Sequence, residues 1–477
     1  MKNKSQKEFP GFKLREEVDK MLNEDIIKPL GEPTEKALLE YIKEHNIRLI
    51  RMMCLDYDGI PVGETVTTSF FLSKLNSGEG FDGSSVAGMG RRDESDMLFK
   101  SDLSTVRLMP WHNSGKGNMA CVICDVLNPD GSPYKADPRY ILKRNLADIQ
   151  EKNYDLITAL ETEFTILETV DENGIPVPID KGKYFTILTD KSFSIRLEMM
   201  NLLEKVGVEV GKQHHECGDG QGEIGSRHHN ALRTADDYLY KIVLFDAIAS
   251  KHGVIISRMP KIFINDAGNG FHCHVNIIDL ETRENLFYNN NDPYGLSEFG
   301  YRFLAGVLDE AEAVCSVACS TYNSFKRLDP EHEAPNQVFW AARNRGALVR
   351  IPSRLPGKEK TSRIEFRLAD PLCNIYLFFA ILLKAGWKGV QNKEIIIPKP
   401  VENDINDLSK AEIEELGIRP LQGNLFQSMQ IFKSSKLARE TFGELAHKIY
   451  YQAKMEEWKK LHFGEITRLE YDFYLRR

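Results

Sequence analysis

Three segments of the chain alternate polar and apolar residues with a period of two, and this pattern constrains the fold more than any other feature. The segments are LETEF (160–164), FHCHV (271–275) and RIEFR (363–367). Successive side chains of a β-strand point to opposite faces, so each segment predicts a strand with one polar and one apolar face. The polar members are Glu161, Glu163, His272, His274, Arg363, Glu365 and Arg367.

The composition of these polar faces favours a metal site over a solvated surface. A solvated sheet face usually mixes Lys, Thr, Ser and Gln, whereas Glu, His and Arg bind divalent metals and anionic oxygen. The segment HHECGDGQGE (214–223) adds Glu216 and Glu223 around a glycine-rich loop. Carboxylate-rich ligation by so many residues favours two magnesium or manganese ions over zinc. Two such ions would suit phosphoryl transfer.

Arginines and lysines cluster in the segments before the third strand. The cluster comprises Arg327, Arg343, Arg345, Arg350, Lys358, Lys360 and Arg363. Arginine is suited to bidentate contacts with carboxylates and phosphates, so the cluster predicts a carboxylate substrate and a nucleotide. The sequence contains no G-x-x-x-x-G-K-[ST] motif and no kinase-type glycine-rich loop, so neither of these common nucleotide folds applies.

The length of the chain predicts more than one domain. The chain has 477 residues, whereas single hydrophobic cores stop growing at roughly 250–300 residues. Residues 128–139 are rich in turn formers, and we place there the boundary between a small domain, 1–130, and a large domain, 131–477. Residues 1–48 are predicted to be helical. Beyond the boundary strands alternate with helices, which indicates an α+β fold.

Charge and composition exclude several classes of protein. The formal net charge of −8 disfavours a nucleic-acid partner, which would need a clustered basic surplus. No apolar run approaches the roughly 18 residues of a membrane span, so we expect a soluble, cytoplasmic protein with no membrane partner. The eight cysteines are scattered, as is typical of reduced thiols. Cys121 and Cys124 are predicted to be core residues, since the second pair of a zinc site is absent.

Nine segments between residues 80 and 371 occur in the order found in glutamine synthetases, and the chain resembles that family. The segments are GFDGSSV, DESDM, DPRYILKR, ALETEF, HHECGDGQGE, AGNGFHCHVN, NSFKRLDPEHEAP, ARNRGALVRIP and RIEFRLADP. The resemblance implies a small N-terminal β-grasp-like domain and a large catalytic domain with an antiparallel, barrel-like sheet flanked by helices. It also implies that ammonia is joined to L-glutamate through γ-glutamyl phosphate, with ATP as co-substrate and two or more Mg²⁺ or Mn²⁺ ions per site.

The resemblance further implies roles for individual residues. One metal would be held by Glu163, Glu216 and Glu223, and the other by Glu161, His272 and Glu365. Contacts to glutamate and the transferring phosphoryl group match Ser85, Gly268, Arg327, Arg345 and Arg367, and nucleotide contacts match His274, Asn276, Arg350, Lys360 and Arg363. The catalytic residues would be Asp82, Glu333 and Arg345. Asp82 would reach in from a neighbouring subunit, and Glu333 would close the glutamate entrance.

The chain departs from the family pattern in four places. Ala267 stands where an Asn usually helps to hold the glutamate loop, and Gly211, His228 and Asn276 replace residues that are usual near the nucleotide. Some relatives that ligate glutamate to amines lack the same Asn, but they tend to lose the carboxylate that Asp82 retains. Two alternatives therefore stay open: a γ-glutamyl-amine ligase of the same fold, and a non-catalytic family member with a structural or regulatory function.

Because Asp82 lies in the small domain yet matches a residue that completes a neighbour's site, we predict a homo-oligomer, a dodecamer of two hexameric rings. Analytical ultracentrifugation should show a species many times the mass of one chain, and dissociation into single chains should abolish activity. A monomer with full activity would contradict this prediction.

Overall fold

Two sheets dominate the part of the chain that the structure describes. The computed structural model describes residues 27–90, 95–112, 115, 117–328, 333–354 and 361–464. Its strands are β1 (Ile47–Leu55), β2 (Pro61–Thr67), β3 (Glu79–Asp82), β4 (Asp96–Ser101), β5 (Arg107–Leu108), β6 (Asn118–Leu127), β7 (Tyr154–Val170), β8 (Pro176–Pro178), β9 (Val210–His215), β10 (Gln221–Ser226), β11 (His229–Asn230), β12 (Ile255–Ser257), β13 (Phe271–Asp279), β14 (Gln337–Val338), β15 (Trp340–Ala341), β16 (Val349–Arg350), β17 (Ile364–Phe366) and β18 (Arg419–Pro420).

The helices lie mainly in the second half of the chain. They are α1 (Glu35–Glu44), α2 (Thr68–Lys74), α3 (Pro138–Gln150), α4 (Phe193–Lys205), α5 (Ala231–His252), α6 (Glu298–Asp309), α7 (Ala311–Ala318), α8 (Ser324–Arg327), α9 (Ile375–Gln391), α10 (Lys410–Glu415), α11 (Leu425–Ser434), α12 (Lys436–Phe442) and α13 (Glu444–Phe463). The connection between β6 and α3 contains the predicted domain boundary.

The small sheet contains β1 to β6 in the order β2-β1-β6-β4-β3, with β5 beside β6. The central strands β1 and β6 run parallel, whereas their other neighbours are antiparallel. Both central strands carry apolar runs and are buried over residues 52–55 and 120–124. Cys121 and Cys124 are free, buried thiols of this core, which confirms the prediction that they are core residues.

The prediction of a helix over residues 1–48 is wrong for residues 45–48, a turn and the start of β1, and for residues 27–34. These residues are irregular, and α1 begins at Glu35. Pro29 and Pro33 cannot donate the backbone hydrogen bonds of a helix interior. The helix then starts at Thr34, whose hydroxyl accepts a hydrogen bond from the Ala37 backbone nitrogen at 3.2 Å and so caps the helix. Residues 1–26 lie outside the described residues.

The large sheet is built around β7, which pairs with β13 on one side and β10 on the other, both antiparallel. The strand order is β15-β16-β17-β13-β7-β10-β9. Helix α5 packs on the apolar face of β7, where the ring centroids of Phe164 and Phe245 are 4.6 Å apart. From the same helix the buried Lys241 donates a hydrogen bond to the Thr162 hydroxyl at 3.2 Å. Glu161 and Glu163 therefore occupy the opposite face of the strand.

Helix α9 fills the centre of the large domain. Its sequence is apolar around nearly the whole circumference, and a helix of that kind is stable only when it is buried on all sides. Asn374 begins it, because the Asn374 side chain accepts hydrogen bonds from the backbone nitrogens of Tyr376 and Leu377 at 3.1 and 3.2 Å. Among the described residues no helix is long and apolar enough to cross a membrane.

A buried arginine joins the two sheets. Arg139 lies in the first turn of α3, and 2 % of its surface is exposed. Its guanidinium donates to Asp236 of α5 at 2.8 and 3.0 Å, and to Asp102 and Asp125 of the small domain at 2.8 and 2.6 Å. One side chain therefore satisfies carboxylates from both domains, and it fixes how they pack against each other.

Replacing Arg139 by Met is expected to destabilise the protein by about 3–5 kcal/mol, because it leaves the buried Asp236 without its cation. The midpoint of urea unfolding measures this loss. The matched control is Lys384→Met, which removes an exposed ion pair with Asp148 (3.4 Å) and should cost less than about 1 kcal/mol. Equal shifts for both variants would contradict the account.

Candidate active site

Strand register brings the polar residues of the alternating segments onto one face of the large sheet. Glu161 is directly opposite His272 on β13, and Glu163 is directly opposite Glu223 on β10. On the far side of β13, His274 is opposite Glu365 on β17. We call this surface the acidic face and define it by Glu161, Glu163, Glu216, Glu223, His272 and Glu365.

At one end of the acidic face, the carboxylates of Glu163, Glu216 and Glu223 lie close together with few hydrogen-bond donors around them. Glu163 accepts hydrogen bonds from the Gly270 backbone at 2.7 Å and the Gln221 side chain at 2.9 Å. Oε1 of the buried Glu223 has no hydrogen-bond donor among the described residues. Burial, and then the nearby charges of Glu163 and Glu223, raise the pKa of Glu216 to about 9. This end therefore holds more carboxylate groups than the ammonium of Lys212, 3.2 Å from Glu223, can neutralise.

The other end of the acidic face pairs carboxylates with histidines. Glu161 lies 3.5 Å from Nδ1 of His272 and 3.4 Å from Nε2 of His274. Burial would raise the pKa of Glu161, but hydrogen bonds from these two imidazoles outweigh it and hold the pKa below its usual range. The oxygens of Glu365 accept from Arg350 at 2.7 Å and from Arg367 at 2.6 Å.

The acidic face fits divalent cations. A buried carboxylate oxygen without a hydrogen bond is costly unless a cation satisfies it. Among the described residues Glu223 Oε1 has only longer contacts, 3.2 Å to Lys212 Nζ and 3.3 Å to His214 Nε2. Ligand atoms lie within 4.8 Å of one another in two sets, one of Glu161, Glu223 and His272 and one of His214, Glu216 and Glu223. These sets share Glu223 and include His214, so they divide the residues differently from the resemblance, which groups Glu163 with Glu216 and Glu223.

Arginines border the acidic face on the side of β16 and β17. A third arginine, Arg363, donates to His274 Nδ1 at 3.3 Å. Arg363 and His274 are both residues that the resemblance matches to the nucleotide, and this hydrogen bond brings them together. Asn276 follows on the same face of β13, because it is two residues beyond His274. Lys360 and Lys358 lie outside the described residues.

The loop before β13 places its glycines against a buried arginine. A side-chain Cβ at Gly268 would lie 2.4 Å from the Pro260 carbonyl oxygen and 2.8 Å from Cγ of Arg327, so only glycine fits there. The buried Arg327 donates to the Leu368 carbonyl at 2.8 Å. The backbone of this loop lies beside the acidic face, because the Gly270 nitrogen donates to Glu163, and the contact of Gly268 with glutamate stays a prediction.

Asp82, Ser85 and Glu333 are exposed. Asp82 accepts hydrogen bonds from the hydroxyls of Ser84 and Ser85 at 2.7 and 2.9 Å, all within its own loop. Glu333 has a left-handed backbone with φ of 58° and lies 3.7 Å from Arg345. Among the described residues Asp82 makes no hydrogen bond or ion pair with the acidic face.

Comparison with known proteins decides the family. The glutamine synthetase catalytic-domain model matches residues 135–474, and the glutamine synthetase β-grasp-domain model matches residues 46–129. A glutamine synthetase from Thermotoga maritima is 37 % identical over 445 residues, which are 93 % of this chain and 99 % of that protein. The chain belongs to the glutamine synthetase family. This confirms the resemblance and the α+β fold with its N-terminal β-grasp domain.

Solved structures show the same fold. A Plasmodium falciparum glutamine synthetase has a TM-score of 0.82 at 22 % identity, covering 94 % of this chain and 100 % of its own. GmaS in complex with ADP has a TM-score of 0.81 at 24 % identity, covering 92 % of this chain and 99 % of its own. Likeness at this level of identity shows the glutamine synthetase fold alone.

The structure places Asn269 beside the acidic face, a position that the sequence pattern missed. Ala267 was expected to leave the glutamate loop without the side chain that holds it. Asn269 holds it instead: its buried side chain donates to the Met259 carbonyl at 2.8 Å and the Thr165 hydroxyl at 3.1 Å. Gln221 then bridges Asn269, at 3.2 Å, to Glu163. The sequence did contain a signal, because Asn269 lies two residues after Ala267, the position at which the family usually has Asn.

Glu365→Ala is expected to lower ATP-dependent turnover at least tenfold, or about 1.4 kcal/mol, by removing a carboxylate from the centre of the charged site. Phosphate release measures the loss. Glu168→Ala, at an exposed position of β7, is the control and should leave turnover unchanged. An E365A variant that keeps more than about a tenth of wild-type turnover would refute a metal-ligand assignment.

Proposed function

We propose that this protein is a glutamate–ammonia ligase that uses ATP to form glutamine through γ-glutamyl phosphate. The observation that carries the proposal is the acidic face bordered by Arg350, Arg363 and Arg367. Carboxylates that take metals and arginines that take phosphates are the parts that phosphoryl transfer needs side by side. A non-catalytic family member would have no reason to keep all six residues of the acidic face.

Two divalent cations, Mg²⁺ or Mn²⁺, would be held by the acidic face. The residues are Glu163, Glu216 and Glu223, with His214 nearby, for one ion, and Glu161, His272 and Glu365 for the other. Bound there, the ions would neutralise phosphate charge during phosphoryl transfer. The chemistry of the donors, which is mainly carboxylate oxygen, supports these ions over zinc.

The side chains then divide the work of the two steps. Arg327 and the backbone at Gly268 would hold glutamate so that its γ-carboxylate attacks the terminal phosphoryl group of ATP. Arg345 and Arg367 would stabilise the charge that develops on the transferred group. Glu333, which lies 3.7 Å from Arg345, would close over the acyl phosphate and exclude water while ammonia attacks and phosphate leaves.

The acceptor that is joined to glutamate distinguishes two candidate functions. Ammonia is supported by the curated name of the Thermotoga maritima relative, a glutamine synthetase at 37 % identity over nearly its full length. A γ-glutamyl-amine ligase of the same fold, which Ala267 left open, is the second candidate. The loss of Asn at position 267 no longer favours that candidate, because Asn269 holds the loop.

A coupled assay of ADP formation tests the proposal. Wild-type protein is supplied with glutamate, ATP and Mg²⁺, and ammonium is compared with methylamine, ethylamine and putrescine as acceptors. We expect the highest kcat/KM for ammonium and glutamine as the product. A higher kcat/KM for an amine would establish the second candidate, and no ADP formation with any acceptor would favour the non-catalytic alternative.

We also propose a ring-forming homo-oligomer, a dodecamer, in which the Asp82 loop of one subunit completes the site of the next. Hydrogen bonds from Ser84 and Ser85 lower the pKa of Asp82, so its exposed carboxylate is ionised at neutral pH. An ionised carboxylate suits a small cation that must lose a proton before it attacks. The domains proposed for this assembly are residues 1–130 and 131–477.

Asp82→Ala is expected to lower glutamine formation with ammonium at least about tenfold and to spare the first step, because γ-glutamyl phosphate forms without the ammonium site. The burst of ADP formed from glutamate and ATP measures the first step. Hydroxylamine, which is mostly neutral at pH 7, should be less affected than ammonium.

The matched control is Asp130→Ala. Asp130 makes the same Asp-x-Ser turn, with hydrogen bonds from the Ser132 backbone nitrogen and hydroxyl at 2.9 and 2.6 Å, but it lies in the connection between the domains. This variant should leave product formation with ammonium and with hydroxylamine unchanged. Equal losses with ammonium and hydroxylamine in D82A would show that Asp82 is structural.

A further inference from the structure

Lys212 places a positive charge on the acidic face, and neither the family resemblance nor the alternating segments indicated it. It lies on β9, opposite Gly225 of β10, and Gly225 is in turn opposite Glu161 of β7. The three residues form one row across the sheet. Because the middle residue has no side chain, Lys212 can reach across β10 to Glu161 on β7.

Gly225 leaves the space through which the Lys212 side chain reaches Glu161. A Cβ at position 225 would lie 3.2 Å from Cγ and 3.3 Å from Cε of Lys212, so the lysine stem occupies the space of the missing side chain. Gly225 is not among the glycines with a positive φ, so its backbone does not require glycine. The role of glycine here is to leave room for the stem of Lys212.

The ammonium group contacts two carboxylates of the acidic face. Nζ of Lys212 lies 2.9 Å from Oε1 of Glu161 and 3.2 Å from Oε1 of Glu223. The contact with Glu223 is within ion-pair distance but lacks hydrogen-bond geometry, so that oxygen still has no donor. With His272, these same two glutamates form one of the candidate metal-binding sets.

We propose that Lys212 is the resident counter-cation of the acidic face and that a divalent metal ion must displace it to bind. The proposal rests on the metal site of the proposed function. An ammonium and a metal ion cannot share the Glu161 and Glu223 oxygens, because like charges a few ångströms apart repel strongly near a protein surface. Lysine is suited to release, since it is a hydrated point charge on a flexible stem and this side chain is 54 % exposed.

Two consequences follow from displacement. In the metal-free protein Lys212 offsets the repulsion between Glu161 and Glu223 and stabilises the fold. A metal ion must first break the ion pairs of Lys212 with Glu161 and Glu223. The free energy of breaking them lowers the apparent affinity for metal. Lys212 therefore sets how much free metal the enzyme needs before its site is complete.

The test is Mn²⁺ binding to metal-stripped, full-length protein, with free Mn²⁺ measured by electron paramagnetic resonance. Lys212→Met keeps most of the stem and removes the charge. We expect its Mn²⁺ dissociation constant to fall about tenfold and its metal-free melting temperature to fall as well. Lys212→Arg keeps the charge and should bind Mn²⁺ within about threefold of wild type.

Lys251→Met is the matched control, because Lys251 pairs with Glu198 at 2.6 Å, outside the acidic face. Its Mn²⁺ affinity should equal that of wild type. If wild type takes up Mn²⁺ and K212M binds it no more tightly, displacement is overturned while the metal site stands. If wild type takes up no Mn²⁺, the metal site of the proposed function fails and the displacement fails with it.

Discussion

Repulsion among the carboxylates of the acidic face determines which other charged groups must surround it. Antiparallel register holds Glu161, Glu163 and Glu223 on neighbouring strands of one sheet, facing the same way. Five carboxylates so close are stable only with cations among them. The protein supplies some, through Arg350 and Arg367 on Glu365 and Lys212 across Gly225. The metal ions and the substrate would balance the negative charge that remains.

The architecture behind the acidic face keeps this arrangement rigid. The opposite face of β7 packs on α5, and α9 fills the domain centre, so Glu161 and Glu163 project from a strand that is close-packed behind them. Arg139 then ties α5 to the small domain through Asp236, Asp102 and Asp125. That link fixes the position of the small domain, and of the loop that carries Asp82, relative to the sheet.

The sequence predicted the local features and missed those that depend on contacts between distant segments. Alternation of period two indicated β7, β13 and β17 and the residues of their polar face, because side-chain direction in a strand is local. The pairing of Glu163 with Glu223, the bridge from Gln221 to Asn269, and the crossing of Lys212 over Gly225 depend on strand order and register. The helix expected over residues 27–34 failed because prolines outweigh an apolar period.

Metal binding by the acidic face can be tested with a crystal structure that contains Mn²⁺ and a non-hydrolysable ATP analogue, with manganese located by anomalous scattering. We expect two manganese peaks on the acidic face, one within ligand distance of Glu216 and Glu223 and one within ligand distance of Glu161 and His272. We also expect that the Lys212 ammonium has left both carboxylates. The absence of manganese from this face, with the nucleotide bound elsewhere, would show that the acidic face is not the metal site.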